Sequence, residues 1–267
     1  MKNLFLIVFI LFVGIETYAQ SNIQLAITYF NDKEYEKAEI LFYDLYKQKK
    51  VAFYFDYYLD CLIFQQKFDL AERRINKEIR KSPQKLSLFV NLGYLKKQTN
   101  DIQEAEKQFK YVYKKLPKNK VQISQVGNTF MKRKEYEWAE KIYLKGNDFF
   151  ENNYAMSLIT VYSMQRKNDK LIETYLDYIE NDYSKISYAQ KSFKALMNND
   201  INKEFSNLLE QKLISRIQQD KKDVISEILI WFYTVKLEYS KALIHARAMD
   251  IKNRENGVRV YNIGLKA

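Results

Sequence analysis

Few residues in this chain could do chemistry, and their spacing narrows what that chemistry could be. Asp56 and Asp60 stand four apart, one helical turn, where they could act as a carboxylate pair. Solvated side chains on a helix face are the competing reading of the same spacing. His245 is the only histidine and Cys61 the only cysteine. One imidazole and one thiol cannot build a His/Cys metal cluster, and their wide separation argues against a Cys-His nucleophile. No glycine-rich phosphate loop and no H-E-x-x-H occurs. The expectation is a chain that is not an enzyme, with no cofactor, no metal and no catalytic residue.

The elements that would carry any site are helical. Two prolines and six glycines in 267 residues are too few for a loop-rich sandwich or barrel, and no period-two alternation is sustained as strands require. Before fold is considered, residues 1–19 stand apart. Lys2 precedes an apolar run from Leu4 to Val13, and Thr17-Tyr18-Ala19 ends in a small residue where a signal peptidase could cut. That run is too short for a bilayer core needing ~20 helical residues. Residues 1–19 therefore read as a cleaved signal peptide with Gln20 as the mature start, an uncleaved anchor being the alternative. A single cysteine in an exported protein leaves stability to packing alone. The net charge of +11 favours anionic partners and says nothing about fold.

Self-similarity supplies the architecture. Residues 33–39 read K-E-Y-E-K-A-E and residues 134–140 read K-E-Y-E-W-A-E. With the alanine as anchor, equivalent positions fall at Ala38, Ala71, Ala105, Ala139, Thr174, Leu208 and Ala242, in steps of 33, 34, 34, 35, 34 and 34. Three residues before each anchor stands a bulky apolar or aromatic residue: Tyr35, Phe68, Ile102, Tyr136, Leu171, Phe205 and Tyr239. Pro83 and Pro117 follow their anchors by twelve residues, where a helix should stop. Leu92-Gly93 and Val126-Gly127 precede theirs, each glycine offering close approach to a neighbouring helix. The expected units are about 20–51, 52–85, 86–119, 120–154, 155–188, 189–222 and 223–256, with a partial one over 257–267, all within one array from 20 to 267.

A period of 34 with these residues resembles the tetratricopeptide repeat, a helix-turn-helix unit. Phe89, Leu92, Gly93, Ala105, Phe109 and Pro117 in the third unit carry most of that motif, as do Val126, Gly127, Phe130, Tyr136, Ala139 and Tyr143 in the fourth. Units 5 and 6 keep the spacing but lack the key alanine and glycine. The resemblance implies an all-α, right-handed α-solenoid of about seven repeats plus the start of an eighth. Its layout is similar to longer exported repeat proteins of flavobacteria and other Bacteroidota, which implies a periplasmic location. Val260, Ile263 and Gly264 fall where an eighth unit would begin, so the last helix is either a short cap or the lead into more chain.

Such arrays present the first helix of each unit along a concave surface. By resemblance, the partner-facing positions are Ile27, Phe30, Asp56, Asp60, Ile63, Tyr94, Lys97, Asn128, Met131, Lys132, Ser163, Arg166, Lys167 and Trp231. Lys97, Lys132, Arg166 and Lys167 recur near first-helix ends in three successive units, and two explanations compete. Cations favour helix C-termini, or the four form a ridge that grips an acidic peptide or an anionic envelope polymer. Some relatives clamp a C-terminal carboxylate; Asn128 fits one place of that clamp, but Ser124 stands where its lysine belongs, so the clamp is not expected. The expected function is a protein- or peptide-binding scaffold, the alternative an electrostatic binder of anionic envelope lipid or glycan. Nucleic acid is not expected, because the repeat core accounts for most of the aromatics.

Overall fold

The computed structural model describes residues 22–219 and 222–267. The expected signal over 1–19 and its junction at Gln20 lie outside these residues. Among the described residues there is no strand, and no helix is long and apolar enough to cross a membrane. Helices pair in sequence as helix-turn-helix repeats, and the chain divides into two compact units, one through Pro117 and one from Lys118.

In the first unit the helices are α1 over 22–31, α2 (Tyr35–Lys49), α3 (Ala52–Phe64), α4 (Phe68–Lys81), α5 (Leu86–Gln98) and α6 (Ile102–Lys115). The second holds α7 (Lys120–Lys132), α8 (Tyr136–Phe149), α9 (Ala155–Gln165), α10 (Asn168–Asn181), a 3-10 turn at Tyr183–Lys185, α11 (Ile186–Asn198), α12 (Glu204–Gln218), α13 (Asp223–Val235), α14 (Tyr239–Asn253) and α15 (Val258–Gly264).

One turn recurs inside the repeats. Lys33, Gln66, Asn100, Lys134, Arg166 and Leu237 each adopt the left-handed conformation, with φ between 56° and 62°. The next residue's N–H then donates to the carbonyl five positions back, as in Glu34 to Tyr29 at 2.8 Å and Glu135 to Phe130 at 2.9 Å. This is a Schellman closure of the first helix, and the same residue starts the second. Glycine usually holds that position because a Cβ is disfavoured there. Leu237 is the bulkiest apolar occupant and is 69% exposed, so its side chain gains little in return. Leu237→Gly is expected to stabilise the chain by up to ~1 kcal/mol, read as a raised denaturation midpoint; a lowered midpoint would mean that the leucine makes contacts the exposed position does not reveal.

The anchor alanines are core. Ala38, Ala71, Ala105, Ala139 and Ala242 are buried, and so are Phe42, Ile75, Phe109 and Tyr143 four residues on. Thr174 and Leu208 are not their equivalents. Helix α9 is only 11 residues long, against 13 for α3, α5 and α7, so its turn arrives early, at Arg166. Leu171 thereby takes the alanine's place, its N–H bonded to the Lys167 carbonyl at 3.0 Å as Ala139 is to Glu135. Thr174 sits half-buried, its hydroxyl bonded to the Lys170 carbonyl at 2.7 Å. The slip also puts the expected boundary between 188 and 189 inside α11, which starts at Ile186. A longer turn before α12 restores the phase. There the Asp200 carboxylate accepts from the backbone N–H of Phe205 (3.1 Å) and Ser206 (2.7 Å), and Leu209 is buried in place of the half-buried Leu208.

Candidate interaction faces

In the first unit the first helices are α1, α3 and α5. Asp56 and Asp60 do lie one turn apart on α3, yet they serve different surroundings. Asp56 Oδ1 accepts from Asn91 Nδ2 of α5 at 3.0 Å, tying neighbouring first helices together. Asp60 is buried at 8% exposure and Ile63 at 6%, so neither presents a surface to a partner, contrary to the expectation from the resemblance. Ile27 and Phe30 of α1 are half-buried against the core. Phe30 packs edge-on with Tyr35 and Tyr57, at ring-centroid distances of 5.6 and 4.8 Å, which makes it chiefly a packing residue. Tyr94 is likewise half-buried against the core, and Lys97 is exposed near the end of α5. The outward apolar residues of α3 are Phe53 and Phe64, which the repeat pattern did not single out. Their signal was available: the stretch A-F-Y-F-D-Y-Y-L-D-C-L-I-F holds more rings than one helix needs for its core.

In the second unit, Asn128, Met131 and Lys132 occupy the last turns of α7. Tyr143 reaches across from α8 beside Gly127 and donates its hydroxyl proton to Asn128 Oδ1 at 2.7 Å. The exposed Asn128 therefore keeps its amide donors for other partners. Ser163 is exposed at the end of α9, and Arg166 is the left-handed turn residue itself. Lys167 departs from the expected ridge. Its Nζ lies 2.9 Å from Glu140 Oε2, and Lys170 Nζ lies 2.6 Å from Glu140 Oε1. Burial alone would raise the Glu140 carboxyl, but the hydrogen bonds from Lys170 and Lys167 outweigh it and hold that group below its ordinary value. Lys167 is thus a counter-ion of the buried Glu140, because a buried carboxylate must be paired.

Trp231, half-buried on α13, lines a groove of about 280 Å³ formed with α11 and α15, the first helices on either side. Gln190, Ile230 and Ile263 share the lining with Glu227, Arg259 and Lys266. Arg259 Nη1 lies 3.1 Å from Glu227 Oε1, and Tyr183 also donates to Glu227, so that carboxylate is already engaged. Such a groove can seat an apolar side chain beside the indole while Lys266 holds a neighbouring carboxylate.

The two residues most often recruited for catalysis are packing residues here. Burial pushes the Cys61 thiol up to about 12, so it stays protonated and unreactive. His245 stacks on Tyr233 with ring centroids 5.7 Å apart, and burial lowers its pKa, leaving the ring neutral. Among the described residues, no three His, Cys, Asp or Glu side chains come together as a metal site.

No protein-family model matches the chain, and no curated protein matches it. Among solved structures, a tetratricopeptide repeat protein from Parabacteroides merdae ATCC 43184 is 10% identical with a TM-score of 0.35, the match covering 93% of this chain and 98% of that one. A chain in the structure of Naa15/Naa10 bound to HypK-THB is 14% identical with a TM-score of 0.33, covering 89% of this chain. The present chain spans 37% of that chain's length.

Proposed function

We propose that this chain, a protein of tetratricopeptide-repeat type, is a non-enzymatic scaffold of the cell envelope that binds a protein or peptide through the first helices of its repeats. Trp231 carries the reading. It is a half-buried indole in a groove with a charged rim, and aromatic anchors of this kind supply most of the energy in protein interfaces. Because Glu227 is satisfied within the fold, the positive charge of Lys266 favours a partner segment with an apolar side chain next to an acidic one. Docking on anionic lipid or glycan through Lys97, Lys132, Arg166 and Lys167 is the weaker alternative, since Glu140 already holds Lys167. Export rests on the signal-like sequence of residues 1–19 and implies a periplasmic chain beginning at Gln20.

Affinity capture from a periplasmic extract tests these points together. The recovered chain is expected to begin at Gln20. Partners should survive ~0.5 M salt, where the Debye length is only a few Å, and should fall at least ~10-fold in yield with Trp231→Ala. Partners insensitive to Trp231→Ala, or released by salt alone, would overturn the scaffold reading. Recovery only from the cytoplasm would overturn the location.

A further inference from the structure

A second cavity, in the first unit, has no role in the scaffold reading. About 210 Å³ in volume, it lies between the C-terminal halves of α2 and α4 and the first turns of α3. Five cations line it, Lys47, Lys50, Arg74, Lys77 and Lys81, against one carboxylate, Glu78. Tyr43, Tyr46 and Tyr58 bring three phenols.

Part of this charge has an ordinary explanation. Lys47 pairs with Asp44 at 2.9 Å and Lys81 with Glu78 at 2.8 Å. Lys47, Lys50 and Lys81 also stand at helix ends, where cations offset the helix dipole. Arg74 and Lys77 lie before the last turn of α4 and have neither explanation. Among the described residues, no carboxylate lies within ion-pair distance of Arg74, Lys77 or Lys50. The Arg74 guanidinium sits 4.9 Å from the Tyr43 ring centroid, and its Nε–H is buried without a hydrogen-bond partner. Glu78 is already engaged, since Tyr46 donates to it at 2.7 Å and Lys81 holds its other oxygen.

We infer that the cavity between α2, α3 and α4 is a binding site for a phosphoryl group, carried by a small phosphomonoester or by a headgroup. The donors exceed what a carboxylate's two oxygens can use. A phosphomonoester brings a charge of about −1.5 to −2 at pH 7 and three acceptor oxygens, and a guanidinium fork matches that geometry. The volume falls below the roughly 300–1,000 Å³ of pockets for drug-sized ligands, which suits a headgroup rather than a large molecule. Burial holds the Tyr58 phenol above its ordinary value, so it stays protonated and able to donate at neutral pH.

Isothermal titration of the full mature chain with inorganic phosphate and with glycerol 3-phosphate, at constant ionic strength set by chloride, tests the site. Saturable binding with Kd in the roughly millimolar range is expected. Lys77→Gln and Arg74→Gln should each weaken it about 10-fold, the scale of one charge-assisted hydrogen bond, while Lys141→Gln on α8, in the other unit, leaves it unchanged. Lys77 is exposed, so its variant remains informative if the Arg74 variant fails to fold. Vesicles of phosphatidylcholine with phosphatidic acid separate the sources: tighter binding than glycerol 3-phosphate identifies a lipid headgroup, equal or weaker binding a soluble ester. Absence of saturation by about 50 mM phosphate and glycerol 3-phosphate, or binding undiminished by Lys77→Gln, would overturn the site.

Discussion

Gly127→Ala is expected to destabilise the second unit by ~1–3 kcal/mol, although the same exchange within an open helix normally stabilises by ~0.5–1 kcal/mol. The sign is set by Tyr143. A methyl group at Gly127 would lie 2.8 Å from the Tyr143 hydroxyl oxygen and nearer still to its ring. Tyr143 is almost wholly buried and bonded to Asn128, so it cannot swing aside without losing core contact and hydrogen bond together. Gly93 stands in the same relation to Phe109 in the first unit, where a methyl would come within 2.7 Å of the ring's Cδ1. Gly264, with nothing near its missing side chain, is the control and should tolerate alanine. Tyr143→Ala alone should cost ~3–5 kcal/mol through the cavity it leaves. In that background Gly127→Ala should become stabilising, because the methyl then fills vacated space. Denaturant midpoints of the four chains form a double-mutant cycle. A stabilising Gly127→Ala in the intact chain would refute the ring-slot account.

Those two glycines were legible in the sequence, as were the helix pairs, because they depend on spacing that a repeat makes visible. The shared turn was only half visible. Lys33 and Lys134 adopt a conformation that glycine usually marks, so their residue types carry no trace of it. The slip at α9 was hidden for a different reason: the residues lost there are regained before α12, so anchors counted in steps of 34 or 35 run straight through both changes. At the candidate sites, side-chain pairing decided the outcome. Lys167 reads as one more basic residue at a helix end until Glu140, from another helix, is found beside it. Trp231 was singled out by position, but its groove needs Arg259 from α15 and Lys266 just after it, where the sequence shows only the start of another repeat. Tyr43, Tyr46 and Arg74 read as repeat decoration, and only packing reveals that they line one cavity.

The same dependence on pairing predicts the largest electrostatic effect. Arg216 of α12, its side chain 12% exposed, faces Glu173, Asp177 and Glu180 of α10. It reaches Asp177 at 2.8 Å and Glu180 at 3.1 Å and donates to Glu173, which Lys212 also holds at 2.9 Å. Arg216→Met keeps much of the stem and removes the charge, leaving three carboxylates on one helix face without their shared counter-ion. Breaking a buried pair costs ~3–5 kcal/mol, but Asp177 and Glu173 keep contact with water, so the expected loss at pH 7 is about 2–3 kcal/mol. Its pH dependence separates charge from packing. Burial alone would raise the Glu173 carboxyl, yet the hydrogen bonds from Arg216 and Lys212 hold it below its ordinary value. A carboxyl depressed in the folded state contributes stability above its unfolded pKa of ~4.3, and that contribution is lost as pH falls through the folded value. The native chain should therefore weaken on acidification below about pH 4. Arg216→Met, having lost most of this coupling, should weaken less, so the gap between the two chains narrows. Urea midpoints across that range measure it, and a gap that stays constant from neutral pH into the acid limb would assign the loss to packing of the arginine stem instead.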